Sequence, residues 1–167
     1  MSDTSIRPAY SSWPRYNQRL RDTVATLSDD QLAVAPSPDR WPLWATIGHL
    51  GCQRVFWLCD FAGAPGAETT PFTEAASNCP GDDDLEHVLD ATALADALDS
   101  TFLIVEQCLD NWTIEALAEV ISHPEWDEIW THTRGFALER VLSHDIYHCA
   151  EINEALNAAN LPLIDLW

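Results

Sequence analysis

The sequence predicts an all-α fold, a four-helix bundle forming one domain over residues 1–167. Three observations lead there. Four segments carry apolar residues at helical spacing. Proline outnumbers glycine by ten to six, which suits helices punctuated by ordered loops better than strands joined by tight turns. The strand-like stretches are too few and too short to build a sheet core. A chain of 167 residues buries about 70% of its unfolded surface, so its core needs no covalent staples.

The first segment is SWPRYNQRLRDTVATLSDDQL (residues 12–32), where Pro14 suits a first-turn position and Tyr16, Leu20, Val24 and Leu27 recur at helical spacing. The proline-rich APSPDRWP breaks it. The second is WPLWATIGHLGCQRVFWLCDFAG, starting at Pro42 and apolar nearly all round, which predicts a well-buried helix ended by GAPG. Residues 63–84 read as a long irregular connection, long enough for a crossover between helices that are not antiparallel neighbours. The third segment is ATALADALDSTFLIVEQCLDNW, with a stripe of Leu94, Leu98, Phe102, Val105 and Leu109 and a cap from Asp90 or Thr92. Residues 112–132 are ambiguous between short helix, strand and loop. The fourth segment, TRGFALERVLSHDIYHCAEINEALNAAN, starts at a Thr133 N-cap and is ended by Asn160 and Pro162.

The charge balance, 27 acids against 8 bases for a net charge of -19, repels phosphate backbones, and no basic cluster offsets it. Nucleic acid is therefore not an expected partner. The acidity is read first as a solvated surface, with a cationic partner as the minority reading. Five cysteines, widely spread and without a CxxC, indicate free thiols in a reducing compartment. The N-terminal MSDTSIRPAY lacks a signal-peptide core, and no stretch is long and apolar enough to span a bilayer. A cytoplasmic location is expected.

The stretch SHDIYH carries the chemical question. His144 and His148 are four residues apart, so on a helix they project from one face, one turn apart, and two imidazoles can reach one ion at about 2.0–2.1 Å each. Two ligands are not a site, and in a bundle a third comes from a facing helix. His49, in TIGHLGC on the most apolar helix, supplies that candidate. His87, His123 and His132 lie in polar loop surroundings. The competing reading is ordinary core histidines with hydrogen-bond partners. A third reading compares HDIYH with the HExxH of zinc proteases, Asp145 replacing the general-base glutamate. It is disfavoured, because aspartate is one methylene shorter and only Asp165 offers a downstream ligand.

The W..W..IGHL pattern from Trp41 to Leu50, followed by TRGFALERVLSHDIYHCAEINEALNAANLPLIDL, resembles the DinB-like (DinB/YfiT) superfamily. The resemblance covers the second helix and the last helix with its tail. It implies a four-helix bundle of up-down-down-up connectivity and a divalent metal, zinc or nickel, held by one histidine of the second helix and an HxxxH pair of the fourth. Carried over, these are His49, His144 and His148. HDIYHCAEI is similar to the H-D-x-x-H-x-x-E-I of one branch, which implies that Glu151 steadies a ligand or a metal-bound water. Some relatives use low-molecular-weight thiols such as mycothiol or bacillithiol in isomerase or S-transferase reactions, and others are known as products of stress or DNA-damage genes.

Three neutral histidine ligands leave an ion charged and open, able to lower the pKa of a bound water to about 7 or to hold a thiolate. The expected function is a metal-dependent transferase using a small thiol, or a hydrolase, with a small-molecule substrate. The alternative is a non-catalytic metal-binding stress protein or small-ligand-binding module. Glu151 is the foremost candidate to support a ligand. Cys52, one turn after His49, is a candidate to line the pocket, and Tyr147 to donate a proton. Asp145 projects about 100° away from His144 on the helix, toward solvent or a neighbouring helix. Trp126 and Trp130, outside the apolar stripes, are candidates to cover a homodimer interface or the entrance to the site.

Overall fold

A computed structural model describes residues 5–165; the first four residues of the N-terminal stretch and the last two of the chain, one of them the end of the family-like tail, lie outside it. Four long helices dominate: α1 (Trp13–Val24), α3 (Leu43–Val55), α4 (Ala91–Asn111) and α6 (Arg134–Ala158). Two single-turn helices, α2 (Asp29–Leu32) and α5 (Ile114–Leu117), lie between them. A two-residue antiparallel pair, β1 (Val120–Ile121) with β2 (His132–Thr133), aligns Val120 with Thr133 and Ile121 with His132. No helix among the described residues is long and apolar enough to cross a membrane.

The first predicted segment is two helices, not one. Ser28 Oγ accepts from the Gln31 amide (3.3 Å) while the Gln31 side chain accepts from the Ser28 amide (2.9 Å). This reciprocal cap starts α2 afresh and stops α1 from running through. The second predicted segment does run on to its glycine, but its winding loosens. After Val55 the chain continues as a π-helical turn over Phe56–Phe61. Asp90, not Thr92, caps α4, accepting from the Ala93 amide (2.8 Å). Thr133 caps α6 by accepting from the Phe136 amide (3.1 Å).

Asn160 ends α6 in a left-handed conformation (φ 55°). Its amide bonds to the Asn157 carbonyl (3.0 Å) and that of Leu161 to the Leu156 carbonyl (2.9 Å), satisfying the last carbonyls of the helix. The ambiguous stretch 112–132 contains α5, capped by Thr113, then β1, then a loop with a 3-10 turn at Glu128–Trp130 that carries Trp126 and Trp130 back to β2.

α3 packs against both α4 and α6, and every residue of it except Gln53 is buried. Two apolar clusters share these helices. Leu43, Ile47 and Leu50 of α3 join Leu20 and Val24 of α1, Leu94 and Leu98 of α4, and Ile152 and Leu156 of α6. Val55 and Leu58 join Trp13 of α1, Phe102 and Leu109 of α4, and Leu138 and Val141 of α6. Apart from Thr46, the buried polar side chains of α3 and α6 are His49, Arg54, His144, Asp145 and His148.

Candidate metal centre

His49, His144 and His148 converge. His144 Nε2 stands 3.1 Å from His49 Nε2 and 3.0 Å from His148 Nε2, and all three rings are buried. Among the described residues this is the one group of three or more His, Cys, Asp or Glu side chains placed to share an ion. Sequence spacing explains half of it, since positions i and i+4 of α6 share a face. The α3–α6 contact supplies His49.

The outward ring nitrogens fix the protons. His49 Nδ1 donates to the Pro80 carbonyl (3.2 Å), and His148 Nδ1 donates to Glu151 Oε2 (2.7 Å). A carbonyl and a carboxylate only accept, so both rings carry their proton on Nδ1 and present a bare Nε2 lone pair to the centre. A neutral His144 has one proton and can meet at most one of those lone pairs. Burial above all, then repulsion from His148 and His49 in their protonated forms, push the His144 pKa down to about 2, so the neutral ring is the stable form. Burial also lowers the His148 pKa.

At least one of those Nε2 lone pairs therefore faces His144 Nε2 across 3.0–3.1 Å with no proton between. His144 Nδ1 is buried as well and has no partner among the described residues. A cation among the three Nε2 atoms removes the first conflict. Tetrahedral ligands at about 2.0–2.1 Å from an ion lie about 3.3 Å apart, close to the spacing found. The donor set fits a borderline divalent ion of the zinc or nickel kind.

A loop holds the outer side of His49. Gly48 lets Pro80 lie directly on α3, because a Cβ there would meet the Pro80 ring at 3.1 Å. Gly81 takes a left-handed φ of +86°, and a Cβ on it would meet Trp41 at 2.8 Å. Trp41 in turn lies 4.9 Å from the His49 ring and stacks on His148 at 6.5 Å. The centre opens on a cleft of about 610 Å³, with Arg140, Tyr147 and Glu154 on its α6 wall and Asp39 and Arg40 opposite.

The remaining predicted residues divide. Glu151 accepts from His148 Nδ1 while it pairs with Arg40 (2.9 Å). Tyr147 lines the cleft, half exposed, with its ring 5.1 Å from that of His148. Asp145 turns to the neighbouring helices. It accepts from Arg54 Nη2 (2.8 Å) and Nε (3.1 Å) of α3 and from Trp13 Nε1 (3.0 Å) of α1. Cys52 does not line the cleft; its thiol points to the Ala75 carbonyl (3.8 Å) and Cys79. Asp165 pairs with Arg19 (3.5 Å) and takes no part in the cluster.

His87, His123 and His132 also stay away, held by Asp84 (2.8 Å), the Phe61 carbonyl (2.9 Å) and the Phe136 ring (4.1 Å) respectively.

Sequence reasoning missed Pro80, Cys79 and Arg54. The thiol of Cys79 lies 3.6 Å from His49 Nδ1, and its pKa is lowered, chiefly by a hydrogen bond from Cys52. The one available signal was the turn NCPGDDD, whose Pro-Gly marks a fixed loop.

No curated protein matches the sequence. Among solved structures, a DinB-like protein from Bacillus cereus ATCC 10987 superposes with a TM-score of 0.71 at 16% identity, covering 99% of each chain. A conserved protein from Enterococcus faecalis superposes with a TM-score of 0.64 at 15% identity, covering 92% of this chain and 99% of that one. Both share the fold with this chain. Residues 15–152 match the family model of the DinB superfamily. With most of its length inside that match, and a mostly helical fold shared with a DinB-like structure, the chain belongs to the DinB superfamily.

Proposed function

We propose that His49, His144 and His148 hold a divalent cation, zinc or nickel, and that the chain is a metal-dependent enzyme acting on a small molecule. The observation that carries this reading is the pair of Nε2 lone pairs facing His144 with one proton at most between them. A set of core histidines held by hydrogen bonds alone would have no reason to keep that arrangement. A divalent ion there supplies Lewis acidity that lowers the pKa of a bound water or thiol.

The favoured reactions are transfer of a low-molecular-weight thiol of the mycothiol or bacillithiol type, and hydrolysis. Both use a neutral ligand set that leaves the charge of the ion undiminished, and both need the room that a cleft of about 610 Å³ provides. The protein's own groups do the positioning. Pro80 and Glu151 fix the tautomers of His49 and His148 and keep the rings from turning. Tyr147 offers a phenol on the cleft wall beside His148 for proton transfer.

The same reading includes the up-down-down-up order of the four long helices. The shared clusters support it: the first half of α3 packs with the first half of α4 and the second half of α6. A cytoplasmic location belongs to it too, supported by five free cysteines.

Cobalt substitution tests the reading. The electronic spectrum of the cobalt-loaded protein is expected to shift saturably with 2-mercaptoethanol, and His144→Ala is expected to lose both the cobalt spectrum and its response. A cobalt spectrum unmoved by thiols or by small anions would mean a closed coordination sphere. That outcome would leave a metal-binding protein without this chemistry.

A further inference from the structure

A second cleft, of about 630 Å³, adjoins the first and shares Gln53, Asp82 and Arg140 with it. We propose that it is a binding site for a small organic cation, an amine or quaternary ammonium compound with an apolar body. Its aromatic lining is Phe56, Trp57, Trp126 and Trp130. Phe56 and Trp57 open the π-helical turn that follows α3, and Trp126 and Trp130 come from the loop between β1 and β2. Two separate departures from regular structure therefore bring these rings together. A π-helical turn is rare and is found disproportionately at functional sites.

The rings hold one another in place. Trp126 lies parallel to Phe56 at 5.9 Å (6°), and Trp130 stands edge-on to Phe56 (5.8 Å, 78°) and to Trp126 (5.7 Å, 73°). Phe56, Trp126 and Trp130 are each only half-buried. An array ordered in advance loses little freedom when a ligand arrives.

The charge around the rings selects the ligand. Asp82, Asp83, Glu125 and Asp127 line the same cleft, and among the described residues none of them pairs with an arginine. The chain has no lysine, and Arg140, at the border with the metal cleft, is the one cation in the lining. A neutral apolar ligand would strip water from these carboxylates and return nothing to them. A metal ion would find no cage, because the carboxylates do not converge on a common point. An organic cation meets both requirements: its apolar groups cover the rings, whose faces attract positive charge, and its charge faces the carboxylates. The overall charge of -19 draws such a ligand in. Asp82 also faces His49 Nδ1 (3.5 Å), but the aromatic rings, Glu125 and Asp127 make no contact with the three histidines, so the cleft can bind without the metal.

Calorimetric titration with choline, and with its neutral isostere 3,3-dimethylbutan-1-ol, tests it. Choline is expected to bind at one site, about tenfold or more tighter than the alcohol. Trp130→Ala is expected to weaken choline about tenfold, and Glu125→Gln/Asp127→Asn, which leaves the aromatic array untouched, severalfold. Circular dichroism verifies that each variant is folded. The metal-ligand variant His144→Ala/His148→Ala is expected to bind choline as the wild type does, so failure of the metal reading stays separate. Equal binding of choline and the alcohol, no saturation by choline, or choline binding indifferent to both sets of cleft substitutions would overturn the proposal.

Discussion

His49 and Arg54 are five residues apart on α3, and His144 and Asp145 are adjacent on α6, yet they enter two different kinds of buried polar group. Arg54 and Asp145 form a closed one. Arg54 spends Nε and Nη2 on Asp145 and Nη1 on Asn17 (2.9 Å), the Leu98 carbonyl (3.3 Å) and Thr101 (3.4 Å). Trp13 completes Asp145. Opposite charges meet, donors find acceptors, and α1, α3, α4 and α6 are tied at one point. The histidine group is open: the outward nitrogens of His49 and His148 are held, while the inward nitrogens of all three rings face one another short of protons. Both groups are costly to bury. The difference teaches which is scaffold and which is site, since a polar group complete within the protein has no use for a ligand, while one left short of a proton or a cation does.

The comparison breaks most visibly at Arg54. Arg54→Met leaves Asp145 buried without a counter-charge, and the expected cost is about 3–5 kcal/mol in urea denaturation. Arg54→Met/Asp145→Leu is expected to recover most of that, as a closed pair replaced by apolar groups should. A cost below about 1 kcal/mol for the single change would mean that the group is not the scaffold described.

Glu151 tests the open group. Glu151→Ala removes the acceptor that orients His148, and metal affinity is expected to fall about 10–100-fold in competition with a chelator. The metal-free protein should lose less than about 1 kcal/mol, because the Arg40 partner of Glu151 is largely exposed and such a pair is worth little.

A smaller effect comes with pH. The folded His144 pKa of about 2 lies below the ordinary 6.5, so below pH 6.5 the unfolded chain takes up a proton that the folded chain refuses. Metal-free wild-type protein should therefore lose stability as the pH falls from 6.5 toward 2, and His144→Ala should lose less over the same range. Denaturant midpoints at several pH values give the two slopes, and identical slopes would contradict the buried, neutral His144.

The least change is expected at Tyr147, which lies against the site without holding it. Tyr147→Phe should leave metal content unchanged and stability within about 0.5 kcal/mol, by elemental analysis and denaturation.

The open group was legible in the sequence because a helix turns spacing into geometry. His144 and His148 at i and i+4 needed no structure to be placed together, and His49 stood out as a histidine on an apolar helix. Thr133 and Asn160, which bound α6, could be read from cap chemistry. The closed group was not legible, because no spacing within the helix links Arg54 to partners that lie 91 and 37 residues away.

The break between α1 and α2 had a readable signal in Ser28 and Gln31, overridden by the apolar spacing that continues to Leu27. Pro80 reaches His49 only through the fold of a loop, and Cys52 turned away from the cleft because Cys79 lies on that loop. The stretch 112–132 mixes one helical turn with two-residue strands, elements too short for any periodicity to show.

The central claim is that the three histidines are a metal site. Elemental analysis of untagged wild-type protein and of His144→Ala/His148→Ala, both after dialysis and reconstitution with divalent ions, addresses it most directly. About one equivalent of zinc or nickel in the wild type, absent from the variant, is the predicted result. No bound metal in either protein would contradict the account.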